Sequence, residues 1–104
     1  MSDFQTVAEF AKHLNTNFRV QAESPRPVEL KLIAVTPRPS EPHEEAGMER
    51  FSAVFSGPVD IFLPQQTYHL IHSEMGEFDV FLVAIAREPD GFKYEAVYNY
   101  YRRD

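Results

Sequence analysis

The chain is expected to fold as an α+β domain that is mainly β: a curled antiparallel sheet, barrel-like or a small sandwich, of about six strands with one N-terminal helix. Three observations lead there. From Phe18 onward, apolar and polar residues alternate in short runs, the period of strands with one buried face. Proline- and glycine-bearing turns separate those runs at close spacing, as in small sandwiches and barrels. Only the first dozen or so residues carry a three- and four-residue apolar repeat, so a single helix precedes every strand. At 104 residues, the sequence reads as one domain, 1–104, long enough to bury its own core.

The helix is placed at about 4–14. Phe4, Val7, Ala8, Ala11 and Leu14 recur at helical steps and define its expected apolar face. Thr6 and Glu9 have capping-box spacing, and Ser2 with Gln5 offers an earlier start. Asn15-Thr16-Asn17 supplies the stop, since asparagine tolerates the left-handed backbone that closes helices. So short a helix needs a docking surface. It is expected to plug one end of the sheet or to cover an edge.

Phe18, Val20 and Ala22 alternate with Arg19, Gln21 and Glu23 as the first strand. Ser24-Pro25-Arg26-Pro27 forces a turn or an extended connection. Val28, Leu30, Leu32 and Ala34 then face one way, with both faces apolar from Ile33 onward, which reads as a strand entering the core. Residues 36–50, with three prolines and four glutamates, are expected to form a long exposed loop. Strand character returns at Phe51, Ala53 and Phe55 and stops at Ser56-Gly57-Pro58. Val59, Ile61 and Leu63 alternate briefly before Pro64, and Thr67 to His72 forms the next strand. Glu74-Met75-Gly76-Glu77 is a hairpin turn with glycine available for positive φ. Phe78 to Ile85, apolar on both faces apart from Asp79, reads as the central strand. Glu88-Pro89-Asp90-Gly91 is the clearest turn, and the tyrosine-rich run from Phe92 to Tyr100 ends the sheet.

Composition narrows the function. Sixteen acidic and ten basic residues give a net charge of −6. The basic residues are scattered, with only Arg102-Arg103 adjacent, so no stripe for nucleic acid or an anionic membrane is expected. No apolar run approaches a membrane span, and the N-terminus lacks the features of a secretory signal. With no cysteine, disulfides, thiolate metal sites and thiol nucleophiles are excluded. That usage fits a reducing compartment, and cytoplasm is the expectation.

Candidate chemistry is sparse. His69 and His72 sit three residues apart on a strand and therefore point to opposite faces, which does not suit one shared metal. Glu41, His43, Glu44 and Glu45 are oxygen-rich, but their spacing matches no calcium loop. Ser52, Ser56 and Ser73 lack a nucleophile elbow. Asp60 or Glu74 with Asp79 would serve acid–base chemistry only if buried together. The four glycines are isolated, so there is no phosphate loop. No catalytic residue, cofactor or metal is expected. Tyr94, Tyr98 and Tyr100 share one face of the last strand while Tyr101 lies opposite beside Arg102. Tyrosine suits half-wet binding surfaces, so the expected contact surface is Tyr100, Tyr101 and Arg102 with the loop near His43.

Several segments together carry a resemblance: Phe55-Ser56-Gly57-Pro58, Leu63-Pro64-Gln65-Gln66-Thr67-Tyr68, Gly76-Glu77-Phe78, Phe81-Leu82-Val83-Ala84-Ile85 and Tyr94-Glu95-Ala96-Val97-Tyr98-Asn99. The chain resembles a family of small bacterial domains of unknown function with the pattern F-x-G-P, L-P-Q-x-x-Y, G-x-F, F-L-V-P-I and Y-E-A-x-F-N. Ala84 stands where the family often has proline, and Tyr98 where it often has phenylalanine. The resemblance implies a stand-alone domain without assigned catalytic residues, in the company of phage-tail-like structures. Gly57, Pro58, Pro64, Gln65 and Tyr68 then read as an architectural motif of two bends, with Gln65 capping exposed backbone. The functional expectation is a non-enzymatic interaction or assembly module that takes a protein partner or a second copy of itself. The alternative is a small-molecule-binding barrel, an enzyme included, with Tyr68, Tyr94, Tyr98 or His69 lining a cavity.

Overall fold

The computed structural model describes residues 6–21, 27–37 and 48–101, the side chains of 48, 49 and 99–101 excepted. Its elements are α1 (Val7–Lys12), β1 (Asn17–Gln21), β2 (Val28–Pro37), β3 (Met48–Gly57), β4 (Gln66–His72), β5 (Gly76–Glu88) and β6 (Gly91–Tyr101). Neighbouring strands are antiparallel throughout and close on themselves in the order β1-β2-β3-β6-β5-β4. The sheet is therefore a barrel, and closure leaves it no free edge. Alternation sends Phe18, Val20, Val28, Leu30, Leu32, Phe55, Leu70, Val80 and Leu82 inward, where all are buried.

Closure also removes the central strand expected at Phe78 to Ile85. In β5, Phe78, Val80 and Leu82 point inward, whereas Phe81 and Ile85 are half exposed on the outer wall. Ile33 is likewise exposed, so β2 does not bury both faces. Register shifts place a bulge between Leu32 and Ala34 in β2, and a second between Ala84 and Ala86 in β5. A bulge adds one residue and flips the alternation. The runs Leu32-Ile33-Ala34 and Ala84-Ile85-Ala86 are apolar for that reason. Strand pairing also extends into the segment expected as a 36–50 loop, through Thr36 opposite Ser52 and Pro37 opposite Phe51, and β3 starts at Met48. The part of that segment at 38–47 lies outside the described residues.

β3 and β4 stand three places apart around the ring, so residues 58–65 must cross from one side of the barrel to the other. They form a loop, not the brief strand that Val59, Ile61 and Leu63 suggested, and the loop buries Leu63. The helix closes the opposite end. Thr6 and Glu9 form the capping box, with 3.1 Å bonds in both directions. Asn15 adopts φ 67° just after the helix. Its amide donates to the Leu32 carbonyl at 2.7 Å, and the Leu32 amide donates to Thr16 at 3.1 Å. The turn after α1 is thereby stitched to the bulge of β2.

The helix is shorter than the expected 4–14, and its inward face differs from the one proposed. Ala8, Ala11 and Leu14 face out, and Phe4 lies outside the described residues. Phe10 is the plug: it is fully buried, with Val7 packed beside it. Its ring lies 5.6–6.4 Å from those of Phe18, Phe51, Phe55, Phe78 and Tyr98, which come from β1, β3, β5 and β6. Such tilted and edge-on contacts add to area burial. Truncation of Phe10 to alanine should cost about 3–5 kcal/mol, whereas Leu14→Ser should stay within about 0.5 kcal/mol. Urea denaturation of the two variants beside the parent chain measures both.

Candidate functional site

The barrel interior is filled from both ends. At the end closed by residues 58–65, the Tyr94 hydroxyl accepts the Leu63 amide at 3.0 Å, and the Tyr68 hydroxyl donates to the Pro64 carbonyl. Burial raises the pKa of both phenols. A β-carbon on Gly57 would lie 2.8 Å from Leu30 Cδ2 and 3.1 Å from Tyr94 Cε2, and one on Gly91 would strike the Gly57 carbonyl. Of the residues expected as an architectural motif, Gly57 packs against Leu30 and Tyr94, and Tyr68 bonds the Pro64 carbonyl. Gln65 does not cap backbone; it is exposed, and the two tyrosines take that role. The four residues expected to line a cavity have separate places. Tyr68 and Tyr94 hold the loop, Tyr98 stacks on Phe51 at 4.7 Å, and His69 is on the outside.

At the helix end, His72 is buried and both ring nitrogens are engaged. Nδ1 accepts the amides of Glu74 and Met75 at 3.0 and 3.1 Å. The ring proton therefore sits on Nε2, 2.9 Å from Thr16 Oγ1, whose own hydrogen goes to the His13 carbonyl at 2.6 Å. This neutral ring joins the β4–β5 turn to the end of α1. Burial first, and the neighbouring His13 ring second, hold its pKa below the ordinary histidine value, against a smaller opposing pull from Glu74.

His69 faces the other way, as strand alternation requires. Its Nδ1 lies 2.7 Å from Asp79 and its Nε2 2.8 Å from Glu77. Bonding to Glu77, then to Asp79, raises its pKa. The carboxylates flank opposite edges of the ring, so they do not converge on one metal position. Asp79 thus pairs with Glu77 around a histidine, not with Asp60 or Glu74. Beside them Asn17, Arg19, Glu29, Ile71 and Ser73 line an open groove of about 320 Å³.

The opposite wall, β2-β3-β6-β5, is different. Among its outward positions are Ile33 (38% exposed), Phe81 (50%), Ile85 (49%) and Val97 (52%). Half-buried Val54 and Val83 flank Glu95 on either side. These side chains give this wall an apolar outer face. At its margin Lys93 donates to Ser56 Oγ at 3.0 Å and to Asp90 at 2.9 Å, with Glu88 at 3.6 Å. Ser56 is thus next to a cation already held by carboxylates, Ser52 is buried on the outer wall and Ser73 is exposed.

Of the expected contact residues, His43 and Arg102 lie outside the described residues. The backbone of Tyr100 and Tyr101 continues β6 opposite Glu49 and Met48. Sequence reasoning missed the apolar outer wall because it read a both-sided apolar strand as central. The signal was present in Phe81, Ile85 and Val97.

The two histidines should respond to pH in opposite senses. For His72, with a lowered native pKa, the contribution to stability is complete above the unfolded histidine value of about 6.5 and is lost as pH falls from there through the native value. For His69, with a raised pKa, the contribution is complete below that value and is lost as pH rises through the native one. Histidine ring NMR titrations should place His69 above the unfolded reference and His72 below it. In urea melts at stepped pH, His72→Gln should flatten the acid-side loss. It should also cost about 1–3 kcal/mol at neutral pH through the orphaned turn amides.

No helix among the described residues is long and apolar enough to cross a membrane. Comparison with curated proteins and with solved structures finds no match. A family model, Domain of unknown function (DUF6916), matches residues 5–98, a span running from the capping box through all but the last residues of β6. The chain belongs to this family of domains of unknown function.

Proposed function

We propose that the protein is a non-enzymatic interaction module whose working surface is the outer β2-β3-β6-β5 wall. The observation that carries this reading is the apolar face formed by Ile33, Phe81, Ile85 and Val97 on a barrel whose interior is already filled by its own aromatic rings. Burying such a face against a protein is favourable at roughly 25 cal/mol per Å². We also propose a cytoplasmic bacterial setting, which the cysteine-free sequence and the resemblance support. Assembly in a phage-tail-like structure is the process the resemblance suggests for such a module.

The test uses the parent chain and the double variant Phe81→Ser/Val97→Ser, with circular dichroism to verify folding. The expected result is a protein that the parent chain retains from host extract, that binds again when both are purified, and that the double variant loses. Equal retention by both chains, or none by either, contradicts the reading.

A further inference from the structure

The apolar wall has a charge at its centre. Glu95 projects outward from β6 between Val54 of β3 and Val83 of β5, and Val97 is the next outward residue on its own strand. It is half-buried, and among the described residues nothing bonds its carboxylate. The neighbouring outward cation, Lys93, is committed to Asp90, Ser56 and Glu88. Glu95 therefore has aliphatic side chains on three sides and the committed Lys93 on the fourth.

We propose that this wall docks a protein surface presenting one lysine or arginine ringed by apolar side chains, with the cation seated on Glu95. The proposal rests on the interaction reading above. A purely apolar partner would strip water from Glu95 without supplying a counter-charge, which costs more than its contacts return. A second copy docked about a two-fold axis at Glu95 would bring Glu95 against Glu95, a like-charge contact. A basic centre satisfies the carboxylate, and an arginine does so with two parallel bonds. The net charge of −6 draws the same partners in solution.

The experiment pans a random dodecapeptide display library on the parent chain, on Glu95→Lys and on Phe81→Asp/Val97→Asp, each verified as folded by circular dichroism. The expected parent consensus is one Arg or Lys flanked by apolar residues. The best peptide should lose on the order of tenfold or more in affinity for Glu95→Lys, while Glu95→Lys itself selects Asp or Glu at the same position. Peptides that need Phe81 and Val97 but carry no basic residue overturn the proposal and leave the interaction reading standing. No enrichment, or enrichment indifferent to Phe81 and Val97, overturns both. A parent dimer in solution that Phe81→Asp dissolves also overturns the proposal, because the wall is then occupied by a second copy.

Discussion

The structure depends on closing the two ends of a narrow six-stranded barrel. The wall bonds itself through its antiparallel ladders, but a ladder supplies nothing to fill its own openings. At one end that filling is Phe10, delivered by a helix of six residues that would not persist in isolation. At the other it is Leu63, delivered by the crossing that the β3-to-β4 topology makes unavoidable. Each plug is locked by polar contacts at its margin. The Asn15 and Thr16 backbone and the His72 ring hold the helix, and the Tyr68 and Tyr94 hydroxyls hold the loop. Two glycines approach closely there: a β-carbon on Gly91 would strike the Gly57 carbonyl, and one on Gly57 would press on Leu30 and Tyr94.

Closure has a functional corollary. In an open sheet, a strand apolar on both faces is central and covered on both sides. In a closed barrel the second face has only the outside to occupy. Phe81 and Val97 are thus on the surface by construction, and the bulges at Ile33 and Ile85 turn two further side chains the same way. The wall is also asymmetric: one side carries His69 between Glu77 and Asp79, the other carries the exposed side chains of Ile33, Phe81, Ile85 and Val97.

Much of this was legible in the residues. The capping box at Thr6 and Glu9, the left-handed stop at Asn15, and the turns at Gly76 and Gly91 are local chemistry, and all appear where the sequence puts them. The opposite orientations of His69 and His72 follow from strand alternation alone. What was not legible depends on long-range closure. Phe10 was passed over because Ala8, Ala11 and Leu14 make an equally regular stripe, and only the barrel mouth decides which stripe is buried. The bulges hide in apolar runs that look like deeper burial. The polar roles of Tyr68 and Tyr94 require knowing that residues 58–65 cross beneath them.

The claim on which the account stands is that one phenylalanine ring touches four strands at once. Nuclear Overhauser contacts from the ring protons of Phe10, selectively labelled, measure this directly. The account predicts contacts to Phe18, Phe51, Phe55, Phe78 and Tyr98 within the same spectrum. A Phe10 ring with no inter-ring contacts, or with contacts to one strand only, would contradict it.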